Sequence, residues 1–293
     1  MHPQSSLALA KRLLLFGRHY RRSLKLDHSY AGEYAYLRKI MTRLQIAKGF
    51  VVDVAASDGV GSSSTLGFFR DVNWRGLAVE MDPDKFSKLA FVYAGFTNAK
   101  LARSRVTPSN VSMLMRGFEV PPDFELLNLD IDSYDLYVID ELLKGSFRPK
   151  VISMEINEKI PPPIFFTVNY DDAHYWRGDH FFGCSLTAAA SVVKAHGYIL
   201  ESVQYNNAVF VRADVAGTLF DDLSSDSAYD VGYRNKADRT KLFPWNADVD
   251  GLLALSTPDA IKSLNELFAK YDGKYTLRTL SAPDTPTCSK TGK

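Results

Sequence analysis

Phe50-Val-Val-Asp-Val-Ala-Ala-Ser-Asp-Gly-Val-Gly-Ser-Ser-Ser64 changes character in mid-stream, from an apolar run to a turn of small residues. Phe50, Val51, Val52 and Val54 suit a short strand buried on both faces, as in a parallel sheet. The turn that follows sets Ala55, Ala56, Gly59 and Gly61 where a backbone can come close to a ligand. Ser62, Ser63 or Ser64 then offers the N-cap of a helix. Asp53 falls where strand gives way to loop; a carboxylate there repels a pyrophosphate and suits a ligand with a cationic or amino end. Alone, such a turn is a weak signal, because Gly59 and Gly61 serve an ordinary turn equally well.

The next unit narrows the reading. A short helix over residues 65–71 leads to Gly76-Leu-Ala-Val-Glu80, a second strand ending in an acid 27 residues after Asp53. This is the βαβ spacing at which a carboxylate meets ribose hydroxyls. Nicotinamide and S-adenosylmethionine enzymes share that acid, and the glycines separate them. G-x-G-x-x-G is absent, and D-x-A-x-x-D-G-x-G-S-S stands in its place. Over residues 49–212 the sequence resembles the class I S-adenosylmethionine-dependent methyltransferases. The resemblance implies an α/β fold: a doubly wound, mostly parallel seven-stranded sheet with a C-terminal antiparallel hairpin, here with helical N- and C-terminal additions. It assigns S-adenosylmethionine to Asp53, Ala55, Ser57, Asp58, Gly59, Gly61, Ser62, Glu80 and Met81. A third strand over residues 98–106 lies against the adenine in that arrangement, which adds Arg105 and Val106.

Phe124-Glu-Leu-Leu-Asn-Leu-Asp-Ile-Asp-Ser-Tyr-Asp-Leu-Tyr137 reads as a strand from whose carboxyl end Asp130 and Asp132 emerge, with Asp135 just beyond. Carboxylates two apart on a buried strand are costly unless a ligand, a metal or hydrogen bonds compensate them. Open parallel sheets bind ligands at those ends. The segment Leu129-Asp-Ile-Asp-Ser-Tyr134 resembles the L-D-x-D-x-Y segment of FkbM-like and macrolide or sugar O-methyltransferases. In the macrolide-sugar group the first aspartate binds a divalent ion, which the resemblance carries to Asp130, also a cofactor-binding candidate. The following strand, Arg148-Pro-Lys-Val-Ile-Ser-Met-Glu-Ile-Asn157, ends in Glu155 and Asn157. Their oxygens can complete a magnesium site with Asp130; the alternative is a site without metal, in which Asp132 alone is the base. The pattern departs from those relatives, which carry adjacent aspartates where Glu-Ile-Asn stands. Asp132, His174 and His180 are the candidates for the general base.

Pro161-Pro-Pro163 predicts an extended excursion, and residues 165–184 a long loop rich in aromatic rings and acids, among them Asp171, Asp172 and Asp179. Such a loop suits a carbohydrate, and a flap over the sheet edge is the alternative. Residues 186–195 form an amphipathic helix closed by His196-Gly197, which makes His196 structural. Residues 198–204 and 208–212, around Asn206-Asn207, read as the closing hairpin and favour methyl transfer over hydride transfer.

The 293 residues, 46 % hydrophobic and 24 % charged, fit one large domain with additions. The expected division is a helical extension over 1–47, a cofactor-binding core over 48–213, a helical and loop addition over 214–280 and a disordered tail over 281–293. A net charge of +1 gives no global field for nucleic acid. Two cysteines, Cys184 and Cys288, fit a reducing cytoplasm and no disulfide framework. Arg18, His19, Arg21, Arg22 and Lys25 read as a solvated helix face, with contact to a membrane surface as the alternative. The expected partner is a small-molecule or glycan acceptor, with a homo-oligomer left open. Three functions stand in order: methylation of a sugar hydroxyl, a cofactor-binding scaffold without turnover, and, last, a nicotinamide-dependent oxidoreductase.

Overall fold

A computed structural model describes Gly17 and residues 27–280. The basic cluster at residues 18–25 and the tail at 281–293 lie outside the described residues. The main sheet comprises β1 (Gly49–Val54), β2 (Trp74–Glu80), β3 (Ala99–Arg103), β4 (Leu126–Leu129), β5 (Val151–Glu155), β7 (Tyr198–Gln204) and β8 (Asn207–Arg212), in the order β3-β2-β1-β4-β5-β8-β7. β8 alone runs against its neighbours. The order reverses between β1 and β4, which opens a crevice at the carboxyl ends of the strands. This is the Rossmann-like fold of class I methyltransferases.

Alternation along the strands decides which helices cover which face. Val52 and Val54 of β1 join Leu77, Leu127 and Leu129 on one face, packed by α4 (Val111–Gly117), α5 (Asp135–Lys144) and α6 (Leu186–Ala195). Val51, Ala78 and Leu126 face the other way, onto α1 (Glu33–Arg43), α2 (Leu66–Arg70) and α3 (Pro83–Tyr93). α1 contributes Leu37, Ile40 and Met41, so the N-terminal helix is part of this core. Asp82 caps α3, accepting hydrogen bonds from the backbone N–H groups of Asp84 and Lys85, with Pro83 at the first helical position. His196 follows α6, and its Nε2 lies 3.0 Å from Asp140 Oδ1.

One element departs from the sequence reading. After Pro161-Pro-Pro163 the chain forms β6 (Ile164–Val168), where a loop was expected. β6 pairs antiparallel with β9 (Tyr275–Thr279) in a second, two-stranded sheet. The C-terminal residues thus supply a strand besides α7 (Ala213–Ala216), α8 (Ser225–Tyr229), α9 (Arg239–Leu242) and α10 (Thr257–Leu267). Ile164, Phe166 and Val168 pack with Phe181, Leu264 and Phe268 into a third apolar cluster.

Candidate active site

The turn after β1 is held in place by its own side chains. Asp58 Oδ1 accepts hydrogen bonds from the N–H groups of Val60 at 3.0 Å and Gly61 at 2.7 Å. Gly59 has φ 76°, and a Cβ there would stand 2.7 Å from Leu89 Cδ1 and 2.9 Å from Tyr93 Cε1. Glycine is required at that position by both backbone conformation and packing. Asp58 and Gly59, expected as cofactor contacts, shape the turn and do not line the cavity beside it. Ala55, Ser57, Gly61 and Ser62 do line a cavity of about 470 Å³ above the sheet.

Two acids bound this cavity on the glycine-turn side. Glu80, at the end of β2, accepts hydrogen bonds from Ser57 N at 2.8 Å and Asp82 N at 2.7 Å, which ties the glycine turn to the start of α3. Asp53 accepts from Thr65 Oγ1 at 2.5 Å and Asn128 Nδ2 at 2.9 Å. Burial pushes the Asp53 carboxyl up, those two bonds pull it down, and the charge of Glu80 raises it again. Met81, Arg105 and Val106 line the same cavity. The Arg105 guanidinium donates to the carbonyl oxygens of Asp172 and His174, the latter at 3.1 Å, so it anchors the aromatic loop over the cavity.

Asp130, Asp132 and Glu155 converge where the ends of β4 and β5 meet, each placing an oxygen within 4.8 Å of the others. Asp135 organises the turn that presents the aspartates. Its oxygens accept from Ile131 N at 2.8 Å and Ser133 N at 3.0 Å, and burial lifts its carboxyl to about 6. Asp132 sits at φ 54°, a left-handed conformation that non-glycine residues hold where surroundings impose it. Burial, followed by the charges of Asp132 and Asp135, holds Asp130 well above the usual carboxylate range. Burial also raises Asp132, against the pull first of a hydrogen bond with Glu155 and then of Lys85 and Lys159, and raises Glu155, which Asp130 and Asp132 then push further. Glu155 Oε1 accepts from Asn206 Nδ2 at 3.2 Å, and its buried Oε2 meets no N–H or hydroxyl donor among the described residues.

Asn157, expected as a metal ligand, lines neither this cavity nor the one beside it. The chain leaves the sheet after Glu155, and the Asn157 amide turns inward to donate to the carbonyls of His180 at 2.9 Å and Phe182 at 3.0 Å. The candidate bases separate likewise. His174 lines the first cavity, with a buried Nε2 that has no partner, and burial lowers its pKa. His180 lines the adjoining second cavity instead, with Nε2 3.2 Å from Asp248 Oδ2.

A second cavity of about 650 Å³ adjoins the first, and Asp132, Asn206, Phe243 and Trp245 line both. Trp176, Phe182 and Trp245 give it aromatic walls, while Glu155, Glu158 and Lys159 give it polar ones. The Lys159 ammonium is buried, 3.3 Å from Glu158 Oε1 and 4.2 Å from the centre of the Phe182 ring.

Several lining residues lie outside the strand-end pattern: Tyr30, Glu33, Asn128, Asn207, Phe243 and Trp245. For Glu33 a signal was present, a charge four residues before Leu37 on the apolar stripe of its helix. Phe243-Pro-Trp245 offers none, because nothing local in it fixes a partner.

Sheet order, glycine turn and the acid ending β2 together define a class I methyltransferase fold. Among solved structures, the chain is similar to the N-terminal domain of EvdMO1, crystallised in the presence of SAH and D-fucose. That match has 12 % identity and a TM-score of 0.42, over 64 % of this chain and 83 % of that one. A putative O-methyltransferase from Klebsiella pneumoniae matches at 11 % identity and TM-score 0.42, over 67 % and 88 % of the two chains. An S-adenosylmethionine-dependent methyltransferase from Clostridium acetobutylicum matches at 10 % and 0.40, over 68 % and 98 %. No protein-family model and no curated protein sequence matches the chain. Likeness of this degree transfers nothing about the site, which stands on its own residues. Among the described residues, no helix is long and apolar enough to cross a membrane.

Proposed function

We propose that the chain transfers a methyl group from S-adenosylmethionine to a hydroxyl of a sugar, free or within a glycan. The observation that carries this reading is the position of the acidic trio, at the junction of a cavity bearing the glycine turn and Glu80 with a second, aromatic-walled one. Glu80 is placed for the ribose hydroxyls, and the carboxylates of the first cavity suit a cofactor with cationic groups. Trp176 and Trp245 offer flat apolar faces for a sugar ring, with Glu158 and Lys159 as partners for its hydroxyls. Asp132 faces both cavities and is the group best placed to take the hydroxyl proton.

The trio also fits a hard divalent cation such as magnesium, since three crowded carboxylates and a Glu155 Oε2 without a donor among the described residues call for positive charge. Asp130, Asp132 and Glu155 would hold it; when bound, such an ion lowers the pKa of a coordinated hydroxyl. A cofactor-binding scaffold without turnover is the alternative, while this chain lacks the phosphate-binding glycines of a nicotinamide enzyme.

Calorimetric titration with S-adenosylhomocysteine tests the cofactor assignment. Glu80→Ala is expected to weaken binding by about 10- to 100-fold, as two hydroxyl contacts to a charged group are lost. Unchanged affinity would reject it. A panel of sugars, phenols, carboxylates and peptides, read by S-adenosylhomocysteine release, tests the acceptor; turnover with none of the sugars would reject the carbohydrate reading.

A further inference from the structure

Helix α1 brings into the first cavity a carboxylate that belongs to no strand end. Glu33 opens the helix directly after Gly32, which takes a left-handed φ of 80°. Leu37, Ile40 and Met41 on its stripe are core residues, so the helix cannot turn to release the charge into water. Ser29, just upstream, bridges to Ser62 of the glycine turn, which fixes the start of α1 over that turn. Glu33 is only 8 % exposed, and what remains accessible faces the cavity.

Its surroundings are acidic. Among the described residues Glu33 makes no ion pair, and the one hydrogen bond to its carboxyl comes from Asn207 Nδ2, 2.7 Å from Oε1. The charges of Asp27 and Asp130 bear on it or feel it. Buried carboxylates normally have a cationic or multiple-donor partner. Here the described residues supply one amide, and the carboxyl borders the cavity.

We propose that Glu33 receives the α-ammonium of the bound cofactor. The inference rests on the reading of this cavity as the S-adenosylmethionine site, and it concerns the end of the ligand opposite the ribose. Strand ends run in the order β2, β1, β4, β5, β8 across the crevice. Glu80 closes the first of them and Asn207, the partner of Glu33, opens the last. A cofactor whose ribose lies on Glu80 extends its amino-acid portion toward Glu33. An ammonium offers three N–H donors to a carboxylate, whereas the sulfonium offers none.

Two ligands separate the contact from general damage. S-adenosylhomocysteine carries the amino acid; 5′-methylthioadenosine keeps the adenosine and the sulfur but ends in a methyl group. Glu33→Gln keeps the shape and the carbonyl that Asn207 needs. Calorimetric titration of the full chain is expected to give a Kd for S-adenosylhomocysteine about 10- to 100-fold higher in the variant, the scale of a lost charge-assisted bond. The Kd for 5′-methylthioadenosine stays within about twofold, since a contact that ligand never makes cannot be lost. Equal loss for both ligands, or undiminished affinity for S-adenosylhomocysteine, overturns the assignment. A wild-type chain that binds neither ligand overturns the cofactor reading itself, before any substitution is compared.

Discussion

Glu33 is costly to the ligand-free protein. Burial lifts its carboxyl from 4.5 to about 8, against the pull of the Asn207 hydrogen bond and with a further push from Asp27. An acid whose folded pKa is raised keeps a proton that the unfolded chain releases. Stability is then intact below about pH 4.5 and is lost as pH rises toward about 8. Glutamine has no proton to lose. Glu33→Gln is therefore expected to raise the thermal midpoint of the ligand-free protein at pH 7, by an amount worth on the order of 2 to 4 kcal/mol, with the gain shrinking toward pH 5. A difference in midpoint that does not change with pH would contradict this. Strand ends made Asp53, Glu80 and Asp130 legible in the sequence, because a parallel sheet presents its carboxyl ends in one place. Asn157 shows the limit of that logic. Its spacing from Glu155 is right for a shared face only while the chain remains extended, and the chain turns away first.

At the scale of elements, patterns contained within one segment were readable and pairings between distant segments were not. The β1 turn, α6 and the closing hairpin each announce themselves through local periodicity, caps and glycines. β6 has the same apolar character as the aromatic loop after it, and its partner β9 lies more than 100 residues on, so nothing nearby marks it as a strand. The glycine turn was legible as a turn, but its contact with α3 was not. Gly59→Ala tests that contact. A β-carbon at φ 76°, 2.7 Å from the Leu89 side chain and 3.5 Å from the Leu89 Cα, combines strain with overpacking. The expected loss is about 1 to 4 kcal/mol in chemical denaturation. Leu89→Ala in the same chain should recover part of it, a coupling that a double-mutant cycle measures. Strict additivity of the two changes would show that the turn does not rest on α3.

Across the whole molecule, the main sheet carries the first cavity, and the small β6–β9 sheet holds the aromatic loop that walls the second. Phe166 stands at the centre of that second unit, with ring centres 5.2 Å from Phe268 and 6.1 Å from Phe181. Phe166→Ala is expected to destabilise the chain by about 3 to 5 kcal/mol. It should also loosen the segment bearing Trp176 and Phe182, raising KM for the acceptor while leaving S-adenosylhomocysteine affinity unchanged; parallel loss of both would mean the two cavities are not separately supported. The junction of those cavities is the centre of the account. Its most direct test is methyl transfer to a sugar acceptor after exhaustive chelation, with magnesium then added back, in the wild type and in Glu155→Gln. Wild-type turnover is expected to fall on chelation and return with magnesium, while Glu155→Gln stays low throughout. Full turnover in the chelated wild type, matched by Glu155→Gln, would contradict a metal-assisted role for the acidic trio.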